Sequence, residues 1–157
     1  MIEVHYSIPL VSVSDDQKLD LAENLRSVGN DFYKQAKYSS ALIGYKNGLF
    51  WACITENDLR LKPIAQMYGN MSAIHFQVKN YELAIKCASE ALQIAEKVPE
   101  VVKNINALYI RRADAYAKLN TFPEAKKDLE SIKNATEVEI KRISTITANI
   151  DLKTKEK

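Results

Sequence analysis

The chain has 157 residues, 46% apolar and 27% charged, and its 22 Lys and Arg against 20 Asp and Glu give a formal net charge of +2. That composition suits one compact folded unit or a short stack and excludes the low-hydrophobicity profile of a disordered chain. So balanced a charge does not mark a nucleic-acid binder, and four Gly and four Pro leave few turn signals, favouring long helices.

In chain order, residues 1–14, MIEVHYSIPLVSVS, read as an arm or linker. The acidic residue at the start and the polar interruptions make a poor signal peptide, and no apolar run in the chain approaches the ~20 residues of a membrane span. A helix is predicted over residues 15–34, with Ser14 and Gln17 spaced as a capping box. A second follows from 38 to about 54. The next pair covers about 61–77 and 81–97, with Pro63 tolerated in a first turn. A third pair covers about 100–119 and 122–133, Pro123 again lying near a helix start. The closing segment, EVEIKRISTITANIDLKTKEK, carries Ile143, Ile146 and Ile150 on one helical stripe, the kind of face that covers the open edge of a stack.

These pairs repeat a pattern. Gly29, Ser72 and Ala113 are each followed nine residues later by an aromatic, Tyr38, Tyr81 and Phe122, and three further on by an alanine, Ala41, Ala84 and Ala125. A small residue at a helix crossing lets two backbones approach, the aromatic wedges between neighbours, and the alanine closes the contact from the other helix. A bulky residue, Phe32, His75 or Tyr116, stands three after each small one. The helical hairpin is therefore the unit.

On these residues the chain resembles the tetratricopeptide repeat family, whose units are helical hairpins of 34 residues. The likeness covers residues 22–55, 65–98 and 106–139, within a domain spanning 15–157. It implies an all-α, right-handed superhelical stack of three hairpins plus a C-terminal capping helix. Gly48 departs from the family's usual Ala, and Leu129 and Ile132 are larger than usual. The small residues are 43 and 41 positions apart; the surplus over 34 is expected to lengthen helices around the turns, as in the large immunophilins.

The first helix of each pair lines the concave side of such a stack. Arg26 and Asn30, four apart, share one face of theirs; Asn70 and Arg111 each stand two before the small residue of their repeat. This set resembles the carboxylate clamp of cochaperone domains that bind the acidic C-terminal tails of heat-shock chaperones. The resemblance implies a cytoplasmic adaptor, without catalysis or cofactor, whose partner is a chaperone tail of the 90 kDa or 70 kDa class. Peptide-binding roles then fall to Arg26, Asn30, Asn70 and Arg111. The family's third-repeat Lys is Ala107 here, and Lys103, one turn earlier on the predicted longer helix, is the substitute. Tyr33, Ile74 and Tyr109 are candidate walls for upstream peptide side chains.

Against this stands a scaffold that assembles a complex through its convex face, Trp51 or the capping helix, without recognising a terminal carboxylate. A regulatory module of a translocation or isomerase machine is compatible with either. Cys53 and Cys87 are expected to be buried reduced thiols. Neither they nor His5 and His75 have metal-ligand spacing, and His75 occupies a packing position. No phosphate loop or nucleophile elbow occurs, so no enzyme is expected. In YIRR, residues 109–112, Arg111 should face the groove and Arg112 turn ~100° away, which is thin support for nucleic acid; direct membrane insertion is not expected either.

Overall fold

The structure, a computed structural model, describes residues 12–156. Most of the expected N-terminal arm, His5 included, lies outside the described residues. Among those described there are seven α-helices and two short 3-10 turns. They are α1 (Asp15–Lys34), α2 (Tyr38–Cys53), α3 (Leu61–Gln77), α4 (Tyr81–Lys97), α5 (Ile105–Lys118), α6 (Phe122–Glu130) and α7 (Glu137–Lys155). Each of the first six packs with its partner as a hairpin, α2 lies on α3 and α4 on α5, and α7 closes the stack against α5 and α6.

The predicted triplet is the crossing point of each hairpin. A Cβ on Gly29 would stand 3.2 Å from the Ala41 carbonyl oxygen. In the second hairpin the buried Ser72 hydroxyl donates to the Ala84 carbonyl at 2.9 Å. Ala113 and Ala125 are both fully buried in the third. The bulky residues then set the turns. The carbonyls of Phe32, His75 and Tyr116 accept from the N–H of Lys37, Asn80 and Thr121 at 2.9, 2.8 and 2.9 Å. Between them Ala36, Lys79 and Asn120 adopt φ of 56°, 62° and 59°. This is the Schellman closure, in which a left-handed residue lets the chain satisfy the last carbonyls of one helix and start the next.

α1 opens with the predicted capping box, Gln17 N–H bonding to Ser14 Oγ at 3.2 Å and Ser14 N–H to Gln17 Oε1 at 2.9 Å. A second box, Thr136 with Glu139, starts α7. The predicted stripe of α7 is real. Ile146 and Ile150 are buried with Ile110, Ala117 and Ala125, and Ile143, Leu129 and Ile132 pack around them. The outsized Leu129 and Ile132 thus fill the space between α6 and its cap. Gly48 has a packing reason too, since a Cβ there would come within 2.6 Å of Met67 Sδ.

Four expectations need correction. The surplus residues do not simply lengthen helices: part of each insertion folds as a 3-10 turn, Asp58–Arg60 and Pro99–Val101. α5 starts at Ile105 rather than near residue 100, because Asn104 caps it, its Oδ1 accepting from Ala107 N–H at 3.2 Å. α6 stops at Glu130 rather than at about 133, where Ser131 turns its hydroxyl back to the Lys127 carbonyl at 3.0 Å. Cys53 is exposed, standing at the last residue of α2. Cys87 is buried as expected, and burial pushes its thiol pKa up.

Candidate functional site

α1, α3 and α5 lie next to one another, and the side chains they share open a cleft of about 450 Å³. Arg26, Asn30, Asn70, Lys103 and Arg111 all line it, as does Ala107. Residues up to 85 positions apart meet here because each hairpin presents the same face of its first helix.

Asn30 is the best-defined member. Its Oδ1 accepts from the Tyr45 hydroxyl at 2.7 Å and from Asn70 Nδ2 at 2.9 Å. Tyr45 is wholly buried on α2, so a core residue of the first hairpin fixes the amide, and Asn70 ties the first repeat to the second. With the oxygen taken twice, the Asn30 amide nitrogen is the end left to donate. Burial also raises the Tyr45 pKa, keeping its hydroxyl a neutral donor.

Arg111 supplies charge. It donates to the Gly69 carbonyl at 3.1 Å, and no carboxylate lies within 4 Å of it among the described residues. Burial, then the like charge of Arg142 on α7, lowers its pKa. A half-buried cation without a counter-charge is costly, and an incoming anion relieves the cost. Arg26 differs, its guanidinium being pinned to Glu23 by Nε at 2.8 Å and a terminal nitrogen at 2.7 Å. That contact orients the fork and leaves further N–H groups for a ligand.

Lys103 does not stand one helical turn before Ala107. It lies in the bend ahead of α5, exposed, and reaches the cleft from its rim. Beside Ala107, Gln66 also lines the cleft, with its Oε1 buried and without a partner. Reading the sequence missed Gln66 and Tyr45; Gln66 was detectable, since it stands one turn before Asn70 on the same face.

The candidate upstream walls separate. Tyr33 is exposed on α1, Ile74 is fully buried and unavailable to a ligand, and Tyr109 packs near Leu92 and Leu108 on another side of α5. Arg112 turns away from the cleft as expected, its two nitrogens meeting Asp128 at 2.6 and 2.7 Å. Trp51 packs against the core, leaving its neighbour Phe50 exposed. His75 is buried as a packing residue. Among the described residues no group of His, Cys, Asp and Glu is arranged to hold a metal, and no helix is long and apolar enough to cross a membrane.

These amides and guanidiniums sit on a stack of helical hairpins, and the chain belongs to the tetratricopeptide repeat family. No protein-family model matches it. It is similar to the Hsp70/Hsp90 co-chaperone CNS1 of Saccharomyces cerevisiae, with 30% identity over 137 residues, covering 87% of this chain and 32% of that protein. The chain thus spans about a third of the length of that relative. The solved structure of the Hsp90 co-chaperone Cns1 from the same yeast superposes with a TM-score of 0.68 at 28% identity, covering 89% of this chain and 41% of that one. The first TPR of Spaghetti (RPAP3), bound to HSP90 peptide SRMEEVD, superposes with a TM-score of 0.63 at 21% identity, covering 85% of this chain and 95% of the other. The last likeness is one of fold.

Proposed function

We propose that this domain is a cochaperone-type adaptor whose cleft holds the free C-terminal carboxylate of an acidic peptide, the tail of a cytosolic heat-shock chaperone of the 90 kDa or 70 kDa class. The observation that carries this reading is the meeting of Arg26, Asn30, Asn70, Lys103 and Arg111 in one cleft. Asn30 and Asn70 donate amide hydrogens to the terminal carboxylate, and Arg111 and Arg26 add charge-assisted bonds. Lys103 stands at the rim in place of a lysine at Ala107. The relative named as a co-chaperone and the related fold bound to a chaperone peptide support the same partner class, and a cytoplasmic adaptor is consistent with it.

The test is titration with a short peptide ending in Glu-Glu-Val-Asp and with its C-terminally amidated form. Amidation removes one charge and one acceptor and is expected to weaken binding at least ~10-fold, the equivalent of ~1.4 kcal/mol. Asn30→Ala and Arg111→Ala should do the same to the free acid. Equal affinity for both forms would overturn the terminal clamp.

The scaffold reading is favoured by one observation, the exposure of Ile43, Phe50, Ile54 and Leu59 around the outer side and end of α2. Deleting α7 would not separate the two readings, because Ile146 and Ile150 belong to the core. Phe50→Ser is the cleaner probe: it leaves the cleft intact and should abolish assembly only if the outer face carries it.

A further inference from the structure

A second recess, of about 250 Å³, lies between α5 and α7. Lys118 of α5 and Lys141, Arg142 and Asn149 of α7 form its polar walls together with Asp114. A neighbouring recess of about 390 Å³ shares Asp114, Lys118 and Asn149 and runs on toward Lys153. Three cationic side chains therefore surround the first recess with one carboxylate among them.

Four cations have a carboxylate partner among the described residues. Arg112 meets Asp128, Arg26 meets Glu23, Lys18 meets Asp15 and Lys34 meets Asp31. Among the described residues Lys118, Lys141 and Arg142 have no carboxylate within 4 Å. Asp114 does not neutralise them at contact distance; burial raises its carboxyl pKa, with Lys118 and Arg142 pulling the other way. The recess adjoins the Asn30 cleft, because Arg111 of the cleft and Asp114 of the recess stand three residues apart on α5. Unpaired like charges along a concave wall focus the field toward an anionic ligand. An extended peptide advances ~3.3 Å per residue, so a chain held by its terminus in the cleft has upstream side chains free to reach α7.

We propose that the α5–α7 recess is a second subsite, which takes acidic side chains of an extended peptide upstream of its C-terminus through Arg142 and Lys118. This rests on the peptide-groove reading above. Asp114 opposes the same ligand and sets an upper bound on how strongly the recess attracts it.

Two peptides test the subsite, both ending in Glu-Glu-Val-Asp with a free carboxylate, one with four Glu and the other with four Gln immediately upstream. The Glu form is expected to bind the wild-type protein several-fold more tightly at low salt. Arg142→Gln and Lys118→Gln should each bring that affinity ratio toward one, and Asp114→Asn should widen it. Arg142 and Lys118 are exposed, so these variants should fold, which circular dichroism checks. A wild-type ratio of one, or a ratio that Arg142→Gln leaves alone, overturns the subsite. If amidation weakens both peptides while the ratio is one, the clamp stands and the subsite falls. A ratio that persists when amidation has no effect sinks the clamp and keeps the subsite; failure of both peptides to bind sinks both.

Discussion

The first and third hairpins follow one pattern with different chemistry. Between α1 and α2 the contact is backbone against backbone: a Cβ on Gly44 would lie 3.1 Å from Gly29 Cα, and one on Gly29 would lie 2.7 Å from two Tyr45 ring carbons. Between α5 and α6 the crossing residues are alanines, and a half-buried Arg112 forks onto the buried Asp128. The first solution brings Tyr45 close enough to orient Asn30. The second ties up Arg112, so that Arg111 alone of the pair lines the cleft. Hairpins that are equivalent as packing units therefore contribute unequally to a site, one through preset geometry and the other through charge.

Breaking the ion pair should have the largest effect. Asp128→Ala leaves the Arg112 charge without its partner and is expected to cost about 3–5 kcal/mol, read from urea denaturation. If it costs no more than an exposed pair such as Lys34 with Asp31, the third hairpin is not held as described. Next comes Gly29→Ala, which overpacks the first hairpin against a buried ring and should cost about 1–3 kcal/mol. Gly48→Ala should cost less, because its nearest neighbour is the flexible Met67 side chain. A reversed order would mean that the α1–α2 crossing has slack.

Tyr45→Phe sharpens the comparison by separating packing from orientation. It keeps the ring and removes one hydrogen bond, about 1 kcal/mol of stability, and it should weaken a free-carboxylate peptide a few-fold by releasing Asn30. Loss of stability with undiminished affinity would dissociate the core from the site. The smallest effect concerns the middle hairpin, where burial first and the charge of Lys46 second lower the His75 pKa from 6.5. Its neutral form is the one that packs, so its contribution to stability is complete above that value and is lost as pH falls through the lowered one. Thermal unfolding at pH 7.5 and 5.5 should show a larger drop for the wild type than for His75→Phe, which matches Phe32 of the first repeat.

The repeats were legible because a crossing constrains residue size at fixed spacing, whatever the rest of the helix contains. So were the four groove residues on helices, since position within a repeat fixes the direction of a side chain. Lys103 was misplaced because Asn104 is both an ordinary helical residue by pattern and a good cap, and only the folded chain shows the second use. The turns were harder still: Ala36 and Lys79 take left-handed conformations that neither residue type announces, whereas Asn120 is a familiar occupant of that region. Arg142 escaped notice because α7 was read for its isoleucine stripe, and the opposite face of a capping helix carries no repeat position against which to align it.

The doubly accepted oxygen of Asn30 has one more consequence. Its amide cannot swivel without severing bonds to two different repeats, so a ligand meets a side chain whose torsional freedom was surrendered during folding instead of at encounter. In the proposed clamp a wholly enclosed tyrosine thereby helps govern recognition at a distance of one side chain, and any exchange of Asn70, the third residue of that trio, would alter grip and inter-repeat cohesion together.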